Sequence, residues 1–212
     1  LPIFMTDWWM DAVCAGKQWD VLLYMDEEGK IQAVLPYLLR QRAWMKYIIM
    51  PQQTQIGGIW IDDTVSNNEK KVAEISLDFA NQLNEMGLSY YYQHYPIGSP
   101  MVEHMRAMQF SITERATYRI EDLTNLDAVI NGFSKNKKRQ LQKALSLHVD
   151  YNMCVEDFYR FHVKCLQEKG KQITYTREFL LVLERKTARL QQSQIVSICN
   201  ADNEVLAAAF LV

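Results

Sequence analysis

Apolar positions along the chain recur at two spacings, one typical of strands and one typical of helices. A short helix is predicted over 7–15, opened by Thr6 as its cap, with Asp7 in the first turn and Trp8, Trp9 and Val13 on its apolar face. Two β-rich runs, 19–25 and 31–39, flank the turn Asp26-Glu27-Glu28-Gly29-Lys30 and predict a hairpin. A third run, 43–50, stops at Pro51, and the polar stretch 52–58 ends in Gly57-Gly58 before Ile59-Trp60-Ile61. Asn67 or Asn68 stands where it would cap a long helix to Met86. Val72, Ile75, Leu77, Phe79, Ala80 and Leu83 mostly keep helical spacing, and Gly87 follows as a stop. An aromatic strand is predicted over 88–95, a short helix over 103–108 and a strand over 115–120.

After 123–125 a second series opens at 126–130 and Gly132. Ser134 stands before a basic helix predicted to reach Leu147. A strand over 148–155, a helix over 157–170 ended by Gly170, a helix over 177–190 and a hairpin of 195–200 with 205–212 complete the chain. This pattern predicts an α/β (α+β) protein of two units, 1–125 and 126–212. Each is expected to be a mixed, mostly antiparallel sheet flanked by helices in a similar order. The run 206–212 reads as a central strand. Domains seldom stop on one, so the second unit is expected to be incomplete, with protein continuing beyond Val212. The first residue is Leu rather than Met, which predicts a trimmed start.

Composition excludes several classes. The 212 residues are 49% hydrophobic and 23% charged, which argues against disorder, collagen or coiled coil as whole-chain answers. No apolar run approaches the ~20 residues of a membrane span. The segment 1–9 has neither a basic start nor a small-residue cleavage site, so it is not read as a signal peptide. Cys14, Cys154, Cys165 and Cys199 lack paired spacing and are read as reduced core thiols of a cytoplasmic protein.

The net charge of -2 hides an asymmetry. Residues 1–125 carry 10 Lys and Arg against 16 Asp and Glu, and residues 126–212 carry 13 against 9. Within the latter, 128–149 holds five basic residues and no acid. In Phe133-Ser134-Lys135-Asn136-Lys137-Lys138-Arg139-Gln140-Leu141-Gln142-Lys143-Ala144, Lys135, Arg139 and Lys143 are four apart and line one helical stripe. Lys137 and Lys138 widen it, while Leu141, Ala144 and Leu145 are expected to face the core. Such a helix should attract phosphates, a coenzyme or RNA, and its amino end adds N–H donors. A solvated basic face explains the same residues.

Other chemistry signals are weaker. There is no dinucleotide fingerprint, no P-loop and no G-x-S-x-G elbow. His94, His104, His148 and His162 stand in no metal-ligand spacing, although His162 and Cys165 are one helical turn apart. The sequence supports no metal site. On the strand predicted at 88–95, alternation puts Tyr90, Tyr92 and His94 on a buried face and Tyr91, Gln93 and Tyr95 on the other. Tyrosines there could act as general acid or line a groove; burial under helices explains them equally.

The segment Phe133 to Ala144 resembles the F-x-x-K-x-R-R-x-I-R-K-A segment of the FemAB-like branch of the GNAT acyltransferase superfamily. Lys138-Arg139 stands where two arginines are common, and Gln142 replaces a further basic residue. The opening Phe4-Met5-Thr6-Asp7-Trp8-Trp9 is similar to the F-x-S-x-x-W opening of such proteins. Trp19-Asp20-Val21 to Pro36-Tyr37, then Pro51 to Gly58, resembles their hairpin, L-P-Y and P-x-x-x-x-x-G-G stretch. Phe158-Tyr159 with Lys169-Gly170 fits the helix that follows.

The resemblance implies two GNAT-like units packed together. It also implies transfer of an acyl or aminoacyl group from acyl-CoA or aminoacyl-tRNA to the amine of a small molecule or peptide. Acyl-CoA would be a cosubstrate, not a permanently held cofactor. In that superfamily the donor pyrophosphate rests on a Gly-rich loop, which here would lie beyond Val212. Lys135, Lys138, Arg139 and Lys143 are the candidates for anionic donor or acceptor contacts, and Tyr91 and Tyr95 for a substrate cleft. No catalytic residue is named, since the reaction needs positioning, oxyanion donors and a proton acceptor rather than a triad. Two other readings stay open. One is a non-catalytic GNAT-like module binding RNA or another polyanion through 134–147. The other is an interaction protein using its Trp and Tyr surface.

Overall fold

The computed structural model describes residues 1–14, 16, 19–120 and 122–212. It divides into two compact units, Leu1–Thr113 and Glu114–Val212. Residues 114–125, grouped by sequence pattern with the first series, fall in the second unit.

In the first unit, a short 3-10 turn, Ile3–Met5, leads into helix α1, Asp7–Cys14. Ala15, its expected last residue, lies outside the described residues. The Thr6 hydroxyl donates back to the Ile3 carbonyl at 2.8 Å. Strands β1, Trp19–Met25, and β2, Ile31–Arg42, form the expected antiparallel hairpin. Asp26 fixes its turn, accepting from the backbone N–H groups of Lys30 and Glu28 at 2.8 and 3.1 Å. Those bonds hold the Asp26 carboxyl below its ordinary value.

Strand β2 runs buried from Ala33 to Leu38, which makes it the central strand. Strands β3, Met45–Ile49, and β4, Trp60–Ile61, pair with it antiparallel at different heights, β3 over Leu38–Arg42 and β4 over Ala33 and Val34. Residues 35–37 are left between those two pairings. Pro36, which has no N–H to give, sits in that gap, so the ladder loses little by it.

A short helix absent from the sequence reading, α2, Asp63–Ser66, precedes α3, Glu69–Glu85. Asn68 caps α3 by accepting from Lys71 N at 3.2 Å, and Gly87 past its end has φ 63°. Ile75, Phe79, Ala80 and Leu83 form its buried face against Ala33, Leu35, Tyr37 and Ile48 of the sheet. Buried Ser76 satisfies its hydroxyl on Val72 O at 2.7 Å. The aromatic strand is far shorter than predicted: β5 is Tyr90–Tyr91, parallel to β3. Helix α4, Met101–Ala107, adds Met101 and Met105 to the core.

The second unit does not repeat this order. The predicted strand over 115–120 is absent; those residues are exposed and pair with nothing as a strand. Helices α5, Leu126–Gly132, and α6, Lys135–Ala144, come first. Strand β6, His148–Asp150, is shorter than expected: residues 151–154 are neither strand nor helix, Asn152 N donates to Asp150 Oδ1 at 3.0 Å, and helix α7, Val155–Glu168, follows them. Helix α8, Arg177–Arg189, is capped by Thr176, which accepts from Phe179 N at 3.1 Å. Strands β7, Gln194–Cys199, and β8, Val205–Leu211, form the final hairpin.

The sheet has the order β6-β7-β8 and is wholly antiparallel among the described residues. It is not mixed, as expected for both units. Strand β8 pairs with β7, and Leu206 and Leu211 are exposed. Phe158, Phe179, Leu180 and Leu183 are buried from the helices, and Ile195, Ser197 and Cys199 from alternate positions of β7. Among the described residues, no helix is long and apolar enough to cross a membrane.

Candidate functional site

The basic helix forms where the charge pattern put it. Ser134 caps α6, accepting from Lys137 N at 3.3 Å. None of the helix is buried, and no acid stands in its first turn. Lys135, Lys137, Arg139 and Lys143 are exposed, and among the described residues no carboxylate makes an ion pair with any of them. Their field is therefore uncompensated locally, which suits a phosphate-bearing partner.

The four candidates are not equivalent. Lys138 is half-buried, and its ammonium donates to the Asn131 carbonyl at 2.9 Å, joining α6 to the end of α5. Arg139 donates to Asn136 Oδ1 at 3.3 Å. Lys135 and Lys143 make no side-chain bond among the described residues. Leu141, Ala144 and Leu145 do not face a core as expected; all three are exposed.

The tyrosine cluster adopts the reverse of the expected faces. Tyr90 and Tyr92 are exposed and stack on each other with centroids 6.3 Å apart. Tyr91 packs edge-on against Phe110 at 5.7 Å, on the side of the unit's core. At β5, only two residues long, the face toward α3 and α4 is covered, and the outer face that carries Tyr90 and Tyr92 is exposed.

Tyr91, Gln93 and Tyr95 form a closed network. Tyr95 and Tyr91 hydroxyls lie 2.5 Å apart, and Tyr91 donates to Gln93 Oε1 at 3.0 Å. Gly58 N donates to the same oxygen at 3.2 Å, and Gln93 Nε2 donates to Pro36 O at 3.1 Å. The amide thus reaches into the gap between β3 and β4. Gly57 N donates to His94 O at 2.8 Å, and Trp9 Nε1 to Thr54 Oγ1 at 3.0 Å. The loop 51–58 is therefore fastened to α1, β2 and the segment 93–95. Tyr95 lies directly over Gly58, whose φ is +90°; a Cβ there would come 2.0 Å from Tyr95 Cδ1. With their hydroxyls turned to each other, the two tyrosines brace this loop.

Burial pushes the Tyr95 phenol up to about 12, and raises that of Tyr91 well above its ordinary value, with Tyr95 adding to the effect. The unfolded phenols titrate at the ordinary value of 10.0. Between about pH 10 and 12 the unfolded chain gives up these protons while the folded chain keeps them. Stability is thus full below pH 10 and falls as pH rises, by roughly 1.4 kcal/mol per pH unit for each phenol. All five tryptophans lie in the first unit, so an alkaline titration followed by Trp fluorescence reads this unit alone. Tyr95→Phe is expected to flatten the alkaline limb; an unchanged limb would remove the network from the account.

A second aromatic group, missed by the sequence reading, lies in the other unit. His162 Nδ1 and the Tyr175 hydroxyl are 2.7 Å apart, and the Tyr175 ring packs against Tyr159 and Phe179. Burial pushes Tyr175 up to about 12. Only the helical position of His162 was visible in sequence, since its partner sits 13 residues away in the segment before α8. Cys165, one turn from His162, is half-buried, and the described residues contain no cluster of metal-ligand type. Cys14 and Cys199 are buried, but Cys154 is exposed. Cys154 caps α7 instead of joining a core, its thiol donating to Asp157 Oδ2 at 3.1 Å.

No protein-family model matches the chain, and no curated protein matches it. Among solved structures the chain is similar to FemX, with a TM-score of 0.59 and 14% identity over 93% of this chain and 52% of the FemX chain. It thus spans about half the length of that structure. That likeness shows the fold alone: the chain has an α/β architecture like that of FemX. A mutant BH1408 protein from Bacillus halodurans overlaps 54% of this chain and 72% of its own at TM-score 0.32 and 13% identity. The aminoglycoside antibiotic 6'-N-acetyltransferase AAC(6')-Ih from Acinetobacter baumannii overlaps 54% of this chain and 77% of its own, at 0.28 and 12%. Likenesses that weak carry nothing further.

Proposed function

We propose that this chain is a FemAB-like N-acyltransferase of GNAT type. It moves an acyl or aminoacyl group from acyl-CoA or aminoacyl-tRNA to an amine on a small molecule or peptide. The likeness to FemX over 93% of the chain carries this reading. The uncompensated cations of α6 support it, because both donor classes bring phosphates. Lys135, Arg139 and Lys143 are the contacts for that anion. Lys138 belongs with them in charge but also holds the α5–α6 joint. Tyr91 and Tyr95 act by holding the loop 51–58 in place. The transfer requires a neutral amine, a group or water to take its proton, and N–H donors for the tetrahedral oxyanion. Positioning supplies much of the rest.

The test is transfer itself. The protein is incubated with acetyl-CoA, longer acyl-CoAs or aminoacyl-tRNA together with mixed amines. The expected result is amine-dependent release of free CoA thiol or deacylated tRNA. Donor consumption equal to the protein-free blank would sink the proposal.

The acid-free charge of α6 also favours a second reading, a non-catalytic GNAT-like module that binds RNA or another polyanion through 134–147. Binding of that kind weakens steeply between low and moderate salt and consumes no donor.

A further inference from the structure

Helix α6 carries two features that a phosphate contact alone does not explain. Its leucines are left partly open to solvent: Leu141 is 39% exposed and Leu145 76%. Residues follow one another by about 100° around a helix. On that spacing Leu141 and Leu145 form one apolar stripe, with Lys137 on one side and Lys138 on the other. The stripe Lys135, Arg139 and Lys143 lies on the rest of the surface. Helix α5, tied to α6 by the bond from Lys138 to Asn131 O, repeats the feature. It buries nothing, and Leu126 and Ile130, four residues apart, are both exposed.

We propose that α6 docks the second unit on an anionic lipid surface. Charge points to the occupant: five cations, none ion-paired with a carboxylate among the described residues, favour a negatively charged partner. The leucines decide between kinds of anion. Single-stranded nucleic acid uses cations with aromatic platforms for its bases, and α6 has no aromatic residue. A lipid interface uses both parts of this helix. Lysine heads meet the headgroup phosphates while their stems and the flanked leucines sink toward the acyl boundary. A helix of ten residues offers too little apolar area to bind alone, so the charge is needed as well. The reading goes beyond acyl transfer and does not depend on it.

The test is sedimentation of the protein with vesicles of phosphatidylcholine, and of phosphatidylcholine containing about one-third phosphatidylglycerol. Binding is expected only with phosphatidylglycerol. It is expected to fall about tenfold in the Leu141→Gln/Leu145→Gln protein and about fivefold in Lys137→Gln. Neither leucine is buried, so the fold should survive; circular dichroism checks this, and Lys137→Gln gives an independent arm. The leucine variant is also titrated with CoA, where an unchanged response separates this surface from the donor contacts. No binding to phosphatidylglycerol vesicles overturns the proposal. Binding unaffected by the leucine pair also overturns it, leaving α6 a purely electrostatic element of the kind an RNA would meet.

Discussion

Gly58→Ala is expected to destabilise the first unit by about 3 kcal/mol or more. Two costs add. The backbone at Gly58 has φ +90°, outside the range that an L side chain adopts comfortably. The added Cβ would also lie 2.0 Å from Tyr95 Cδ1 and 2.4 Å from Cε1. That ring cannot swing away freely, because its hydroxyl is bonded to Tyr91, which is packed against Phe110. The other glycine of the pair differs. A Cβ on Gly57 would meet Met50 Sδ at 3.3 Å, a flexible neighbour able to shift. Urea unfolding followed by Trp fluorescence measures both variants in the first unit. In a Tyr95→Ala background the added cost of Gly58→Ala is expected to drop to the backbone part, about 1–2 kcal/mol. An undiminished cost there would show that the ring is not the obstacle.

The combined variant Lys135→Glu, Arg139→Glu and Lys143→Glu is expected to weaken binding of a phosphate-bearing donor about a hundredfold. An exposed charge pair at contact is worth about 1 kcal/mol in water, and three such contacts sum to roughly that factor. Stability is expected to change little, since none of the three is buried and none is ion-paired with a carboxylate among the described residues. The salt slope of binding, measured by calorimetric titration with CoA at several ionic strengths, is expected to flatten with it. Unchanged affinity would remove α6 from the donor site.

The strength of each sequence inference follows from how local its cause is. The hairpin β1–β2 is set by Asp26 and its own turn, and α3 by Asn68 and a 17-residue amphipathic pattern; both formed as expected. The charge of α6 was legible because it needs no partner to exist. Errors came where pairing or burial depends on distant residues. The run 115–120 has strand composition but forms no strand among the described residues. The run 148–155 stops pairing after Asp150, where Asn152 N and Nδ2 turn back to the Asp150 carboxylate, and only Val155 of it enters α7. Alternation alone separated Tyr90 and Tyr92 from Tyr91 and Tyr95. It could not say which side α3 and α4 would cover. Gln93 carried no signal, because its role comes from Gly58, 35 positions away, and Pro36, 57 away. Helical spacing placed Leu141 and Leu145 on one stripe, but could not say that both would stay exposed.

The most direct measurement is the melting temperature of the protein titrated with acetyl-CoA, longer acyl-CoAs, free CoA and aminoacyl-tRNA. A ligand that binds the native state raises it by mass action. The account predicts a dose-dependent rise with at least one activated donor, lost in the Lys135→Glu, Arg139→Glu, Lys143→Glu protein. A melting point unmoved by every donor would contradict it.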